Sequence, residues 1–176
     1  MSRGLTPESN IQPKSFGILR ACLAMVGVML GAPAGAITIN GFLVDDTAVP
    51  VEHLVRAAPA KDSITSIDEP VWIKGSDCKY MQDEDEVLSL TIGEETRAYP
   101  LRILVWHEIV NDQIGDQAVA MTYSALTGSG MAFDPGENQD GSRREFGVSG
   151  LLYNSGLLMY DRGTESLWSQ IKFMGI

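Results

Sequence analysis

Residues 87–100, VLSLTIGEETRAYP, decide the fold class of this 176-residue chain. Leu88, Leu90 and Ile92 alternate with polar residues, which is the period of a strand with one buried face. A Gly-Glu-Glu turn follows, and the next four residues, TRAY, form the returning strand. The stretch therefore predicts an antiparallel β-hairpin.

A short helix is expected directly after this hairpin. Pro100 suits the first helical turn because its fixed φ fits there and its missing N–H is not needed. Four side chains then share one side of the helix: Leu101, Leu104, Val105 and Glu108. We expect no other appreciable helix in the mature chain.

The rest of the chain has the pattern of further hairpins. Residues 107–123, HEIVNDQIGDQAVAMTY, hold two strands around a Gly-Asp turn. Residues 127–146 hold two short strands around a glycine- and acid-rich loop, and residues 157–173 form a last hairpin whose alternation continues to Phe173. The predicted fold is mainly β (α+β with one short helix), an antiparallel sheet built of hairpins. The chain stops at FMGI directly after a strand, which predicts a domain truncated at its C-terminus.

The first 36 residues have the pattern of a signal peptide. Basic residues precede an apolar run at 21–30, and the small residues Ala34 and Ala36 then mark cleavage after Ala36. The alternative is a membrane anchor, but the run is shorter than the about 20 apolar residues that span a bilayer. We expect export to the periplasm or beyond, with no stable membrane span after cleavage. The predicted organisation is leader 1–36, lead-in segment 37–70 and β-rich domain 71–176.

Charge and cysteine content exclude several classes of function. The formal net charge is −10, and removal of the leader leaves about −12, so nucleic acid and anionic lipid are not expected partners. No glycine-rich loop is followed by a lysine and a helix, so no nucleotide cofactor is indicated. Cys22 leaves with the leader, and Cys78 then has no internal disulfide partner. A buried, inert thiol is favoured for Cys78 over a reactive one.

Several long segments resemble the signatures of the family called domain of unknown function 3179. They are RAYPLRILVWHEIVND, TYSALTGS with AFD after it, FGVSGLLYNSGLLMYDRGTESLWSQ and, upstream, PAKDSITSIDEP. The resemblance covers about His53 to Gln170 and implies an exported or membrane-attached prokaryotic protein without a settled activity. Many members carry cysteines where this chain has Ser124 and Thr127, so thiolate metal binding or dithiol chemistry cannot operate there. The resemblance also implies a domain that continues past the end of this chain.

His107 is the candidate for metal binding or acid–base chemistry. It lies at the predicted helix-to-strand junction beside Glu108, and an imidazole with a nearby carboxylate suits either a transition-metal site or a general base. The alternative is a half-buried histidine whose ring nitrogens bond to the backbone and fix the turn.

A second set of residues is typical of a polar ligand site. Hydroxyl, amide, aromatic and charged side chains occur together in two segments: Ser124, Thr127, Tyr153, Asn154, Ser155, Tyr160, Asp161, Arg162 and Trp168. Asp161 and Arg162 could equally brace the DRGTES turn, and Trp168 could be a core aromatic. A serine hydrolase is not indicated because TYSALTG lacks the glycine of the nucleophile elbow.

Three functions follow from these residues. The first is a non-enzymatic exported module that binds a small polar ligand or an envelope protein. The second is a metal-binding or metal-handling accessory domain centred on His107, which the cysteine-bearing relatives motivate. The third is a hydrolase or transferase with His107 as general base.

Overall fold

The computed structural model describes residues 37–44 and 47–176. The predicted leader, residues 1–36, lies outside this part of the chain. The described residues form one α-helix, two 3-10 turns and strands in the following order: β1 (Ile37–Ile39), β2 (Phe42–Val44), a 3-10 turn (Val51–His53), β3 (Leu54–Arg56), a 3-10 turn (Gly75–Asp77), β4 (Val87–Ile92), β5 (Glu95–Pro100), α1 (Leu101–His107), β6 (Ile109–Ile114), β7 (Gln117–Ser124), β8 (Ser129–Phe133), β9 (Phe146–Tyr153), β10 (Gly156–Asp161), β11 (Leu167–Ser169) and β12 (Met174–Gly175).

The strands make antiparallel sheets, as the sequence predicts. The largest sheet has the order β12-β11-β10-β9-β3, a second has the order β6-β7-β8, and β1-β2 and β4-β5 are separate hairpins. The predicted mainly β fold with one short helix is therefore confirmed for the described residues. None of the helices in this part of the chain has both the length and the apolar character needed to cross a bilayer.

Alternating side chains divide the core into three clusters. On β10, Leu158 and Tyr160 pack against the β1-β2 hairpin, whereas Leu157 and Met159 face the sheet of β6 to β8. Successive side chains of β6 also point to opposite faces of their sheet, so they belong to different clusters. The result is a layered molecule in which β6 and β7 are covered on both faces.

Strand β6 carries two buried polar residues, one for each of its faces. Asn111 is 1% exposed and points toward β9, where its side chain donates to Phe146 O (2.8 Å) and accepts from Phe146 N (2.9 Å). Asp112 is 3% exposed and points toward the β4-β5 hairpin. The strand is thereby hydrogen-bonded through side chains to the layers on both sides.

A bulge in β9 receives the lead-in segment. The pairing of β9 with β10 shifts after Leu158, and the extra residues include Gly150 with φ +72°. Gly150 O accepts the N–H groups of Ala57 and Ala58 (2.9 and 3.1 Å), and a Cβ on Gly150 would lie 2.9 Å from Ala60 O. Both the positive φ and this close approach require glycine at position 150.

The lead-in segment continues along β6. Ile67 forms a parallel bridge with Val110, donating to Ile109 O (2.9 Å) and accepting from Asn111 N (2.8 Å). The predicted lead-in is thus an ordered part of the domain, because its backbone groups are paired with β6 and β9.

The helix and the last hairpin differ in detail from the predictions. Helix α1 ends at His107, and Val105 is exposed, so only Leu104 of the predicted face is fully buried. The predicted strand to Phe173 stops at Ser169, after which Gln170 turns inward and Phe173 adopts a positive φ of 57°. The alternation beyond Ser169 was misleading because Gln170, a polar residue, is completely buried.

Gln170 joins the two larger sheets. Its Nε2 donates to Thr122 Oγ1 (3.0 Å) and Ser129 O (3.2 Å), and its Oε1 accepts from Ser129 Oγ (3.3 Å). All three partners lie on β7 and β8, whereas Gln170 directly follows β11 of the five-stranded sheet.

We predict that Gln170→Ala lowers the free energy of unfolding by about 1–3 kcal/mol, because it leaves buried partners without a hydrogen bond. Urea unfolding followed by circular dichroism measures the change. Gln113→Ala is the matched control, since Gln113 is exposed and bonds only to the turn carbonyl of Gly115. Equal unfolding midpoints for the two variants would contradict this role of Gln170.

Candidate functional site

The buried carboxylate of Asp112 organises a concave site. Arg97 and Tyr99 lie two residues apart on β5, so their side chains share the face that covers β6. Arg97 Nη1 donates to Asp112 Oδ1 (2.6 Å), and Tyr99 OH donates to Asp112 Oδ2 (2.7 Å). Each carboxylate oxygen therefore has a fixed donor.

Trp72 completes this arrangement from the lead-in side. Its ring lies 4.6 Å from the guanidinium carbon of Arg97 and meets the Tyr99 ring edge-on, with centroids 5.1 Å apart at 89°. Its indole Nε1 is 3.4 Å from Asp112 Oδ1. Cation–π and edge-to-face contacts of this geometry are favourable, so Trp72 is held in a defined position above β5.

Burial and charge set the protonation of these groups. Burial and the hydrogen bond to the Asp112 carboxylate raise the pKa of Tyr99 well above its ordinary value. Burial lowers the pKa of Arg97, but its bonds to Glu95 and Asp112 outweigh that effect and raise it overall. At neutral pH Tyr99 is therefore a neutral donor and Arg97 a cation, both committed to Asp112.

Above this floor is a cavity of about 610 Å³, which we call the Trp72 cleft. It lies between residues 70–82 on one side and β5 with α1 on the other. Its apolar and aromatic walls include Val71, Trp72, Ile73, Tyr80, Met81, Val87, Ala98, Tyr99 and Ile103, and its polar wall residues include Gln82, Asp85, Glu95, Thr96 and Arg97. A concave apolar site with a few oriented polar groups is typical of a binding pocket.

Cys78 lies in the wall of the Trp72 cleft and is half-buried. The full burial that the sequence favoured for this thiol is not observed. The nearby Tyr80 residue is half exposed, but partial desolvation of its hydroxyl, together with Cys78, raises the pKa of that hydroxyl.

A separate polar cluster, the Arg162 network, connects the lead-in segment with the end of β10. It consists of Asp62, Ser66, Asp68, Tyr160 and Arg162. Arg162 Nη2 is 3.3 Å from Asp62 Oδ1, 3.0 Å from Ser66 Oγ and 3.6 Å from Asp68 Oδ2, while Tyr160 OH donates to Asp62. Burial and the bond to Asp62 raise the pKa of Tyr160 to about 12. The network therefore fastens the lead-in to the sheet through the Nη atoms of Arg162 and the Tyr160 hydroxyl.

His107 also contacts the lead-in segment. Its Nδ1 is 2.7 Å from Thr65 O, and because a carbonyl oxygen only accepts, Nδ1 carries the proton. Within residues 37–44 and 47–176, no three His, Cys, Asp or Glu side chains are grouped closely enough to hold a metal. The alternative interpretation of His107, a half-buried histidine whose ring nitrogens bond to the backbone, describes a contact of this kind.

Glu108 ends helix α1 with a positive φ of 59°. Its N–H donates to Leu104 O (2.8 Å), and its carbonyl accepts from Tyr123 N (2.7 Å), so its backbone is fixed on both sides. The side chain is half-buried, and this burial raises the pKa of its carboxyl.

The predicted ligand residues do not meet in one place. Tyr153 ends β9 and Asn154 and Ser155 form the β9-β10 turn, whereas Tyr160, Asp161 and Arg162 lie at the opposite end of β10. Asn154 and Ser155 are exposed and both have positive φ, as a two-residue hairpin turn requires.

The other predicted ligand residues belong to turns or pack against the core. Ser124 is buried at the end of β7, and Thr127 Oγ1 in the following turn is 2.7 Å from Ser129 Oγ. Asp161 is buried and accepts the N–H of Gly163 (2.7 Å) within the β10-β11 turn, as a bracing residue does. Trp168 is half-buried, edge-on to Phe146 at 5.5 Å.

The residues of the Trp72 cleft were not predicted as a site from the sequence. Asp112 gave a usable signal, since a carboxylate inside the strand IVNDQI needs a partner if that strand is buried. Arg97 and Tyr99 gave another, because they alternate around Ala98 on the returning strand. Trp72 lies in a segment without periodicity, so no local pattern placed it against Arg97.

We predict that Glu108→Gln raises the free energy of unfolding at about pH 7 and that the gain disappears toward about pH 4. The folded-state pKa of Glu108 is raised. The folded chain therefore binds more protons than the unfolded chain above the ordinary glutamate pKa, and stability falls as pH rises through that window. Urea midpoints across this range measure the effect, with Glu94→Gln in an exposed turn as the control. A pH-independent difference from the unsubstituted chain would contradict the assignment.

Comparison with known proteins places the chain in a family. The model of the family described as "Protein of unknown function (DUF3179)" matches residues 61–176. No curated protein and no solved structure matches the chain. The match includes the lead-in contacts of Asp62 and Asp68, the Trp72 cleft and the five-stranded sheet from β9 onward. Because it extends over more than half of the sequence, this chain belongs to the family of proteins of unknown function DUF3179.

Proposed function

We propose that this chain is an exported, non-enzymatic binding module and that its ligand site is the Trp72 cleft. The observation that carries the proposal is the cleft itself, a cavity of about 610 Å³ with aromatic and apolar walls above a fixed polar floor. Its volume is in the range of pockets that hold small organic ligands, about 300–1,000 Å³. Export is supported by the sequence of residues 1–36.

The pairing at the floor of the cleft favours binding over catalysis. Asp112 is bonded to Arg97 and Tyr99, and Arg97 is bonded to Glu95 (2.7 Å) as well. A general base or nucleophile needs an available lone pair directed at the substrate. Here the carboxylate already accepts from Arg97, Tyr99 and the Trp72 indole, and the groups that a ligand meets first are rings and aliphatic side chains.

The expected ligand is small and amphipathic. Trp72 offers a ring surface, while Gln82 and Thr96 are the neutral polar residues in the wall. A ligand with one apolar or aromatic part and one uncharged polar end matches this lining. The same surface also suits a side chain presented by an envelope protein.

We predict that uncharged aromatic fragments, such as phenyl amides and alcohols, bind saturably and change the tryptophan fluorescence of the protein. Ala98→Trp should abolish this binding, because Ala98 is an exposed β5 residue in the cleft wall and a larger side chain fills the cavity. Thermal shift gives a second readout, since a ligand at about 100 times its Kd stabilises the folded state by about 2.7 kcal/mol.

The matched control is Ala132→Trp, which adds the same side chain at an exposed position of β8. This variant should bind the fragments as the unsubstituted chain does. Binding that survives Ala98→Trp would contradict the location of the site. Chemical conversion of a bound fragment, followed by mass spectrometry, would contradict the non-enzymatic assignment.

A further inference from the structure

The chain segment that supplies most of the Trp72 cleft lining, residues 74–102, carries an excess of negative charge. Residues 74–102 include seven acidic side chains and four basic ones. Two of the four basic side chains are already neutralised, since Arg97 pairs with Glu95 and Asp112, and Arg102 Nη1 is 3.2 Å from Asp85 Oδ2. Lys74 and Lys79 are the remaining cations of this range. The acidic residues are Asp77, Asp83, Glu84, Asp85, Glu86, Glu94 and Glu95.

The wall of the Trp72 cleft also exposes large apolar side chains. Val71 is 92% exposed, Ile73 52% and Tyr80 50%, and all three line the cleft. Single exposed apolar residues are ordinary, but several around one concave opening mark a surface that contacts a partner. A partner bound in the cleft can also contact the solvated acidic residues 83–86, because Gln82, Asp85 and Val87 line the cleft.

We infer that the Trp72 cleft receives a basic, amphipathic segment of a partner protein, in which an apolar or aromatic side chain is flanked by Lys or Arg. The inference rests on the proposed function and names its ligand class. The apolar side chain enters the cleft beside Trp72, and the flanking cations meet the exposed carboxylates of Glu84 and Glu86. Rim charges of this kind accelerate association and select the partner by sign.

Charge also argues against the other occupants. A second copy of this chain has a net charge of −10 and is repelled by the same acidic segment. A nucleic acid or an anionic lipid surface is repelled in the same way. An apolar segment without cations would leave these carboxylates without a counterpart.

The test uses an acetylated and amidated hexapeptide, Lys-Lys-Phe-Leu-Lys-Lys, titrated into the protein with the intrinsic tryptophan fluorescence as the signal. Two comparison peptides replace all lysines by glutamate, or Phe-Leu by Ser-Gly. The expected result is saturable binding of the first peptide that weakens about ten-fold or more when the salt is raised from about 20 mM to about 300 mM. The two comparison peptides should bind at least about ten-fold more weakly, because each lacks one half of the recognition.

Two double charge reversals test which part of the protein attracts the basic peptide. Glu84→Lys with Glu86→Lys changes two exposed residues on either side of the cleft residue Asp85, and Asp116→Lys with Glu137→Lys makes the same change in net charge at exposed positions elsewhere. The variant at Glu84 and Glu86 should lose at least about ten-fold in affinity for the basic peptide, and the distant variant less than about three-fold. Equal losses would overturn the inference, since attraction would then follow net charge alone.

The outcomes separate this inference from the proposed function. If uncharged fragments bind and are blocked by Ala98→Trp, but the basic peptide does not bind, the proposed function stands and the inferred partner class is wrong. Basic-peptide binding that Ala98→Trp leaves unchanged would also overturn the inference. If neither fragments nor peptide bind, both are wrong.

Discussion

Asn111 and Asp112 are neighbours on β6, and their side chains point to opposite faces of a strand that is covered on both sides. Burial of an amide or a carboxylate is costly unless hydrogen bonds replace the lost water. Asn111 obtains them from β9 and from Asp68 (2.7 Å), and Asp112 obtains them from β5. The rest of the structure depends on this pair, because each residue positions one neighbouring layer.

The two faces have different consequences. On the Asn111 side, the bonds to Phe146 and Asp68 hold β9 and the lead-in segment against β6, and the Arg162 network fastens the same lead-in to β10. On the Asp112 side, the carboxylate fixes Arg97 and Tyr99, which in turn support Trp72. The Trp72 cleft therefore depends on the hydrogen bonds that satisfy the buried carboxylate of Asp112.

Local patterns predicted the elements, and long-range pairing decided the site. Alternation of Leu88, Leu90 and Ile92 identified the β4-β5 hairpin, and Pro100 marked the start of α1, because both signals act within a few residues. The contact of Trp72 with Arg97 joins a segment without periodicity to a strand, so no local sequence pattern predicted it. The turn at Asn154 is close to Asp161 in sequence. The two nevertheless lie at opposite ends of β10, because an extended strand rises about 3.3 Å per residue.

The central claim is that the Asp112 floor holds Trp72 in a binding cleft. The most direct measurement is a ¹⁵N spectrum of the indole N–H groups of Trp72, Trp106 and Trp168 during titration with the Lys-Lys-Phe-Leu-Lys-Lys peptide, with each signal assigned by a Trp→Phe variant. Trp72 Nε1 is 3.4 Å from Asp112 Oδ1, Trp106 is 76% exposed on α1, and Trp168 packs on Phe146. The account predicts a saturable shift of the Trp72 signal while the other two stay in place. A shift of Trp106 or Trp168 with an unchanged Trp72 signal would contradict it.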